Sequence, residues 1–325
     1  MNSKGRVLTA LTLGKPDRVP WMELGIDYEV GQKLLNKGQY TPYELAKFLH
    51  LDGIGRGCYP EIYVKRRRNE DGREYIIGGM IETRRDLKMI KLKNPKSPQI
   101  YEELKKYVDD YGKDLAIFGA TNIGLDPLLL GMGLENFSYA LLDDPPLIEE
   151  ILDIYTEWAR EVVEEMQKVG VDIIWFTDDI AFNSSMMFSP EFFREIAKPK
   201  LKKVMEKVKI PSIFHSDGYI LPVIDDLIDL GIKAIHPIDP SALDIREVKI
   251  KYGSRLCLIG NIDLRYTLVS SSIEDVKKEV KQRIVEIGYN GGYIISSANT
   301  ITNYCKIENI IAIRDAIEEF GWYRD

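Results

Sequence analysis

The sequence predicts an α/β fold, and within that class a single (β/α)8 TIM barrel over residues 1–325 with a small β-hairpin insertion after the second strand. From about residue 115 onward, short apolar runs alternate with amphipathic segments, which is typical of βα units. Each run ends in polar or small residues, as parallel strands do when their carboxyl ends carry a site. No glycine-rich dinucleotide fingerprint follows any run, which argues against a doubly wound sheet.

Eight apolar runs are predicted to form the parallel strands. Two lie upstream, at 19–25 and 52–58, with a helix-like segment from Thr41 to His50 between them. The other six lie at 115–121, 173–179, 212–218, 234–238, 256–263 and 292–298. Residues 66–79 interrupt the rhythm with an Asp-Gly turn signal, which predicts the hairpin.

The helices between these strands are predicted from apolar residues spaced three or four apart. The longest covers 145–169, with Asp144 as N-cap and Gly170 as the stop. Ser189 followed by Pro190 opens another helix, and further apolar stripes predict helices over 273–287 and 307–320.

Composition narrows the classes of function. The chain has 325 residues, of which 45% are hydrophobic and 29% charged, enough for a large core. Forty-four Lys and Arg against 51 Asp and Glu give a net charge of −7 that is mixed along the chain, so nucleic acid and anionic membranes are not expected partners. No membrane span or signal peptide is visible, and we expect a cytoplasmic protein. Three scattered cysteines predict neither a disulfide framework nor a zinc ribbon.

In such a barrel the active site lies at the carboxyl ends of the strands. The polar residues expected there form a ring rich in carboxylates and amides: Glu23, Asp27, Arg56, Cys58, Asn122, Asp178, Asp179, His215, Asp217, His236, Asp239, Asn261, Asp263, Ser297 and Asn299. No GxSxG, HExxH or Walker motif is present, which excludes serine hydrolysis, thermolysin-like proteolysis and P-loop chemistry.

The segment FHSDG is the most informative part of this ring. Residues two apart on a strand point to the same side, so His215 and Asp217 can meet one ligand. An imidazole and a carboxylate suit zinc or a similar divalent ion, with further ligands from Glu23, Asp179, Asn299 or water. They equally suit an acid/base pair, or a histidine held by a carboxylate for stability alone.

Two other strand ends carry weaker signals. Successive residues on a strand face opposite ways, so only one of Asp178 and Asp179 is expected to face the barrel mouth. The segment GNID places Asn261 and Asp263 at a strand end, where they either contact a ligand or tie down the loop.

Five segments carry a resemblance that covers nearly the whole chain; in chain order they are GKPDRVPWMELG, SPEFFREIAKPKLKKV, FHSDGYILPVIDDLIDLGIKAIHPI, LCLIGNID and GGYIISSANTI. Together they resemble the uroporphyrinogen decarboxylase superfamily. That superfamily is built on a (β/α)8 barrel. The resemblance implies one of two chemistries: cofactor-free decarboxylation of the acetate arms of uroporphyrinogen, or methyl transfer between corrinoid proteins and thiols, methanol, methylamines or aryl methyl ethers.

The sequence departs from both patterns of the superfamily. Decarboxylases carry Met-Arg-Gln-Ala-Gly-Arg, whose arginines hold substrate carboxylates, where this chain has Met22-Glu23-Leu24-Gly25, and Gly-His-Gly-Ile where it has Ala298-Asn299-Thr300-Ile301. Few cations remain at the strand ends, chiefly Arg56, Arg265 and Arg18, which disfavours a polycarboxylate substrate.

Thiol-activating methyltransferases of the superfamily hold zinc with His-x-Cys after the fifth strand and a further Cys after the eighth. The corresponding positions here are His215, Ser216, Asp217 and Asn299. A carboxylate and an amide in place of two thiolates make a harder and weaker metal site.

The resulting hypothesis is a methyltransferase that acts on a small-molecule methyl donor together with a separate corrinoid protein, because the chain has no DxHxxG corrinoid motif of its own. In this hypothesis a metal is bound by His215, Asp217 and Glu23. Alternatively, acid/base catalysis is carried out by His215, Asp217 and Asp179. The residues expected to bind substrate are Glu23, Arg56, Asp178, Asn261, Asp263 and Asn299.

Two alternatives stay open. One is a decarboxylase without cofactor, with Asp179 or Asp217 near the pyrrole nitrogens of a tetrapyrrole and Arg56 or Arg265 on its carboxylates. The other is a noncatalytic barrel that binds a corrinoid or tetrapyrrole and delivers it to a partner. Barrels of this kind often pair, so a homodimer is compatible with each hypothesis.

Overall fold

The computed structural model describes residues 1–70 and 74–323, which form an α/β structure around a curled sheet of seven parallel strands. The strands of the chain are β1 (Gly53–Gly57), β2 (Val64–Arg68), β3 (Glu74–Gly79), β4 (Ala116–Thr121), β5 (Ile173–Thr177), β6 (Ser212–His215), β7 (Ala234–His236), β8 (Cys257–Ile259) and β9 (Tyr293–Ile294). The parallel sheet has the order β1-β4-β5-β6-β7-β8-β9, so each strand lies beside the one that follows it in the chain, apart from the hairpin.

The first predicted strand, at 19–25, forms only isolated bridges. Trp21 makes a parallel bridge to Ile295 and Met22 makes one to Gly53, so this segment is linked to both outer strands, β9 and β1. A longer ladder does not form because Pro20 has no amide hydrogen and the Trp21 amide donates to the buried Asp52 carboxylate, at 3.0 Å.

The predicted hairpin insertion is present after β1. Strands β2 and β3 pair antiparallel from Val64 opposite Gly79 to Arg68 opposite Glu74, with a register shift between Lys65 and Arg66. The Asp-Gly turn predicted between them lies outside the described residues.

The helices are α1 (Ser3–Leu11), α2 (Tyr28–Leu35), α3 (Pro42–Leu49), α4 (Glu102–Tyr111), α5 (Leu125–Met132), α6 (Leu134–Asp143), α7 (Pro145–Val169), α8 (Pro190–Phe192), α9 (Lys198–Met205), α10 (Ile224–Asp229), α11 (Ile245–Tyr252), α12 (Ile273–Glu286) and α13 (Ile307–Phe320). A π turn, Phe193–Ala197, joins α8 to α9. In the described ranges no helix is long and apolar enough to cross a membrane.

The long helix α7 has the predicted bounds, but its first turn is not capped as predicted. Asp144 occupies the N-cap position without a side-chain bond to the helix, because its carboxylate accepts two hydrogen bonds from Arg84, both at 2.9 Å. At the other end Gly170 adopts φ +101°, the left-handed conformation that favours glycine.

Side chains alternate along the strands between two buried clusters. Phe118, Trp175 and Ile213 belong to a smaller cluster that also includes Leu11 of α1. Their neighbours in sequence belong to the larger cluster, which contains the apolar faces of α7, α12 and α13. The strands are therefore buried on both sides, and α1 packs against the face opposite the main helices.

Candidate active site

A compact group of ionisable side chains lies at the carboxyl ends of β5 and β6. One ligand atom each from Asp179, His215 and Asp217 lies within 4.8 Å of the others. His215 Nε2 is 3.7 Å from Asp179 Oδ1 and 3.9 Å from Asp217 Oδ1. These distances are too long for hydrogen bonds, so the three atoms face one another across a gap.

The strand register explains why this group forms. Thr177, the last residue of β5, pairs with His215, which in turn pairs with His236 at the end of β7. His215 lies two residues after Ile213, so its imidazole faces the same side as the smaller buried cluster. Asp179 and Asp217 each lie two residues past the end of this register and converge above the imidazole.

Asp217 is held in one orientation by two contacts. Asn299 Nδ2 donates to Asp217 Oδ2 at 2.7 Å, and the Asp217 amide donates to Asp179 Oδ1 at 2.8 Å. Its other carboxylate oxygen, Oδ1, is buried and has no hydrogen-bond partner among the described residues. Burial raises the pKa of the Asp217 carboxyl, while the nearby imidazole opposes this change.

The donor set fits a divalent cation. An orphaned, buried carboxylate oxygen beside an imidazole nitrogen and a second carboxylate is an arrangement that a cation would satisfy. Two ligands of a tetrahedral zinc ion lie roughly 3.4 Å apart, given metal–ligand bonds of about 2.0–2.2 Å. The two N···O separations of 3.7 and 3.9 Å are close to that value.

A second histidine lies directly behind the group. His236 is fully buried, and its Nδ1 lies 2.7 Å from His215 Nδ1, a hydrogen-bond distance. Its Nε2 lies 3.1 Å from Ser296 Oγ and 3.3 Å from the Ser297 carbonyl oxygen. Burial lowers the pKa of His236 well below its ordinary value, so the ring is neutral at pH 7. The sequence placed His236 at a strand end but gave no sign of this contact.

Glu23 is buried and densely hydrogen-bonded. It accepts bonds from Trp21 Nε1 at 2.6 Å, Ser296 Oγ at 3.1 Å and the Ser297 amide at 3.0 Å. Burial raises the pKa of its carboxyl to about 7, although these hydrogen bonds act in the opposite direction. Its predicted role as third metal ligand stays a prediction, since the group of closely spaced ligand atoms contains Asp179 in that place.

Asp178 and Asp179 face different ways, in accord with strand alternation. Asp178 is fully buried and accepts hydrogen bonds from the amides of Ile123, Gly124 and Asp126, at 2.6, 3.2 and 2.8 Å. Burial raises the pKa of its carboxyl to about 6. Asp178 therefore anchors the turn after β4, and Asp179 is the member of the pair that faces the mouth.

Three other predicted site residues make local contacts. Arg56 is exposed and pairs with Glu103 at 2.6 Å. Asn261 is buried between the Ile238 carbonyl, to which it donates at 2.7 Å, and Arg283 Nε, from which it accepts at 2.8 Å. Asp263 accepts from two backbone amides of the turn that follows it. The substrate contacts predicted for these residues stay predictions.

One titratable residue near the group was missed by sequence reasoning. Asp126 lies in the first turn of α5, and burial together with the charges of Asp178 and Asp179 raises the pKa of its carboxyl to about 8. The strand-end rule could have found it, because it follows β4 by only five residues.

A cavity of about 530 Å³ opens beside Glu23, between residues 23–28 and β1. Its walls combine apolar residues with four tyrosines and three charged side chains: Tyr28, Tyr40, Tyr59, Tyr107, Glu23, Asp27 and Arg56. The volume is in the range that holds a small molecule.

The fold and the site define a parallel α/β protein with a histidine–carboxylate group at the carboxyl ends of its strands. Residues 73–320 match the uroporphyrinogen decarboxylase (URO-D) family. The chain belongs to this family, as the resemblance in its motifs predicted.

The chain is also similar in sequence to named relatives and in fold to solved structures. The methylcobamide:CoM methyltransferase MtaA of Methanosarcina barkeri is 27% identical over 233 residues, which cover 70% of this chain and 66% of the relative. The chain thus spans just under two thirds of the length of that curated relative. A methyltransferase from Methanosarcina mazei has a similar fold, with a TM-score of 0.77 at 21% identity, over 98% of this chain and 99% of that one. A B12-independent methionine synthase from Shewanella follows, with a TM-score of 0.56 at 14% identity over 94% and 95%.

Proposed function

We propose that this protein is a methyltransferase that moves a methyl group between a small-molecule donor and a corrinoid carried by a separate protein. The observation that carries the proposal is the group of Asp179, His215 and Asp217 with its orphaned carboxylate oxygen. The relatives named as methylcobamide:CoM methyltransferases support the choice of methyl transfer within the family. The methyl acceptor of these relatives is not part of the proposal, because the oxygen and nitrogen atoms that would bind a metal here are harder ligands than thiolates.

In this proposal Asp179, His215 and Asp217 hold zinc or another divalent ion, and Asp179 takes the place that the sequence assigned to Glu23. A divalent ion bound there would supply Lewis-acid polarisation of the methyl donor or the methyl acceptor. Asn299 keeps Asp217 Oδ1 turned toward His215 by holding the other oxygen, at 2.7 Å. If no metal binds, His215, Asp179 and Asp217 act in the acid/base catalysis that the sequence left open.

The cavity beside Glu23 favours a small donor over a tetrapyrrole. A porphyrinogen with many carboxylates needs several free cations. The described lining has one basic side chain, Arg56, which is already paired with Glu103, and it has two carboxylates, Glu23 and Asp27. We therefore propose a neutral or weakly charged methyl donor in this cavity, with the corrinoid protein covering the strand ends.

Further features belong to the same proposal. We infer that the 21–22 segment acts as the eighth strand that closes a (β/α)8 barrel, and that residues 1–325 form one domain. A cytoplasmic location and pairing as a homodimer are likewise inferred from the family resemblance and the composition.

The first test is the metal content of the purified protein and its affinity for Zn²⁺ and Co²⁺, compared with His215→Ala, Asp217→Ala and Asp179→Ala. Asp225→Asn is the matched control, because Asp225 is an exposed carboxylate paired with Arg255 at 2.7 Å on the protein surface. We expect near-stoichiometric metal in the wild type and the control, and loss of metal in the three site variants. Metal-free wild-type protein that also fails to bind added Zn²⁺ would overturn the metal site.

The second test measures methylation of a corrinoid carrier protein with a panel of methyl donors. Turnover that His215→Ala abolishes is expected. Coproporphyrinogen formed from uroporphyrinogen, without methylation of any carrier, would replace the proposal with the decarboxylase alternative. Binding of a corrinoid without turnover of any donor would replace it with the noncatalytic alternative.

A further inference from the structure

A series of hydrogen bonds between buried side chains runs from Glu23 to His215. Glu23 contacts Ser296 Oγ at 3.1 Å, and Ser296 Oγ lies 3.1 Å from His236 Nε2. His236 Nδ1 then lies 2.7 Å from His215 Nδ1. These hydrogen bonds therefore connect a carboxylate on the cavity wall with the imidazole of the candidate metal group through buried side chains.

The direction of these bonds follows from what each atom can do. The Ser297 carbonyl oxygen, 3.3 Å from His236 Nε2, can only accept a hydrogen bond. The Ser296 hydroxyl donates to the Glu23 carboxylate, so it is free to accept from His236 as well. Both partners of His236 Nε2 are thus acceptors, which places the proton of the His236 ring on Nε2.

The protons on the remaining ring nitrogens of His236 and His215 then have one consistent assignment. His236 Nε2 faces two acceptors, whereas its Nδ1 faces only the ring nitrogen of His215 and no carboxylate. With its proton on Nε2, its Nδ1 is an acceptor, so His215 must donate from Nδ1. The lone pair of His215 then lies on Nε2, the nitrogen that faces Asp179 Oδ1 and Asp217 Oδ1.

We infer that His236 is a positioning residue: it fixes His215 as the Nδ1–H tautomer, so that Nε2 is the ligand atom, and Ser296 and Glu23 fix His236 in turn. The inference rests on the proposed metal site, although the hydrogen bonds behind His215 are present without metal. Partners of this kind behind a metal ligand orient its ring and raise its basicity.

Nuclear magnetic resonance tests the tautomers directly. The chain contains three histidines, so a long-range ¹H–¹⁵N spectrum of metal-free protein labelled with ¹⁵N-histidine shows three rings, and His50→Gln identifies the exposed one. We expect His215 as the Nδ1–H form and His236 as the Nε2–H form at pH 7. His215 found as the Nε2–H form, or His236 as the Nδ1–H form, would overturn the inference.

A pair of variants separates positioning from packing. His236→Asn keeps an acceptor oxygen close to the place of Nδ1, whereas His236→Leu has a similar volume and no acceptor. We expect His236→Leu to weaken Zn²⁺ binding about 10- to 100-fold and to release His215 from the Nδ1–H form, and His236→Asn to restore much of both. Equal affinity and equal His215 spectra in the two variants would contradict the inference, which the wild-type spectrum also tests if either variant fails to fold.

These measurements also distinguish the two proposals. The expected tautomers with no Zn²⁺ binding would retain the positioning role and reject the metal site. Tight Zn²⁺ binding with the opposite tautomers would retain the metal site and reject the role of His236.

Discussion

Replacing Glu23 by glutamine is expected to change how the stability of the protein depends on pH. Burial raises the pKa of the Glu23 carboxyl to about 7, from an ordinary value of 4.5. A carboxyl with a higher pKa in the folded state binds more protons when folded, so its contribution is fully present below pH 4.5 and is lost as the pH rises through 7. At roughly 1.4 kcal/mol per pH unit, this separation corresponds to about 3 kcal/mol of unfolding free energy.

The hydrogen-bond geometry allows glutamine to take the place of the protonated acid. Both serine hydroxyls, of Ser296 and Ser297, contact Oε2 of Glu23, and a hydroxyl can accept a bond as readily as it donates one. Oε1 receives the bonds from Trp21 Nε1 and the Ser297 amide. An amide with its oxygen at the Oε1 position keeps the bonds from Trp21 Nε1 and the Ser297 amide. Its nitrogen at the Oε2 position donates to the serine hydroxyls, so that Ser296 changes from donor to acceptor in the variant.

The assay is urea unfolding of metal-free protein, followed by tryptophan fluorescence, at intervals from pH 4.5 to pH 8. The measured quantity is the difference in unfolding free energy between Glu23→Gln and wild type, since other buried carboxyls such as Asp126 and Asp178 cancel in it. We expect this difference to shift in favour of the variant by about 3 kcal/mol across the range. Glu274→Gln, on the exposed first turn of α12, is the control and should give a difference that hardly changes with pH.

A difference for Glu23→Gln that stays constant with pH would refute the reasoning. It would mean that the hydrogen bonds to the carboxylate balance the cost of its burial, so that Glu23 is ionised in the folded protein at neutral pH. A shift in favour of the wild type would mean that they exceed that cost.

Three further predictions concern the site and its support. Asn299→Ala removes the 2.7 Å bond that orients Asp217 and should weaken Zn²⁺ binding about 10- to 100-fold in a competition titration, without a change in the circular dichroism spectrum; unchanged affinity would contradict the orienting role. Asp52→Asn removes the buried charge that pairs with both Arg18 and Arg6 and should lower the free energy of unfolding by about 3–5 kcal/mol in urea; a loss below about 1 kcal/mol would show that the other acidic partners of these arginines, Glu318 and Asp17, suffice without Asp52. Ile213→Ala opens space in the smaller buried cluster below His215 and should cost about 2–5 kcal/mol by the same measurement, and a near-neutral effect would indicate that the cluster collapses around the gap.

Local patterns predicted most of the secondary structure. The helix over 145–169 and the final helix over 307–320 have their predicted bounds, because their periodicity, proline and glycine signals are all contained in neighbouring residues. The predicted strand at 19–25 forms only two isolated bridges, since the Asp52 side chain that accepts from the Trp21 amide lies 31 residues away in the chain. No local pattern contains such a competitor for a backbone hydrogen bond.

The candidate site was predictable to the same extent. The alternation of side chains along a strand predicted that His215 and Asp217 face the same side and that Asp178 and Asp179 face different sides. It could not show that His236 would lie against His215, because that contact depends on which strands are neighbours and on their register. Nor could it show that Glu23 would bond Ser297, which lies 274 residues further along the chain.

The pairing of His215 with His236 across β6 and β7 also links assembly of the sheet to assembly of the site. Side chains on a strand alternate between its two faces, so a slip of one residue between these strands would turn one imidazole toward the helices. A misaligned chain would then bury a polar ring among the apolar side chains of the larger cluster, at a cost in free energy. The two histidines therefore disfavour misaligned pairing of β6 and β7, and a protein that has lost them would have fewer constraints on how its central strands align.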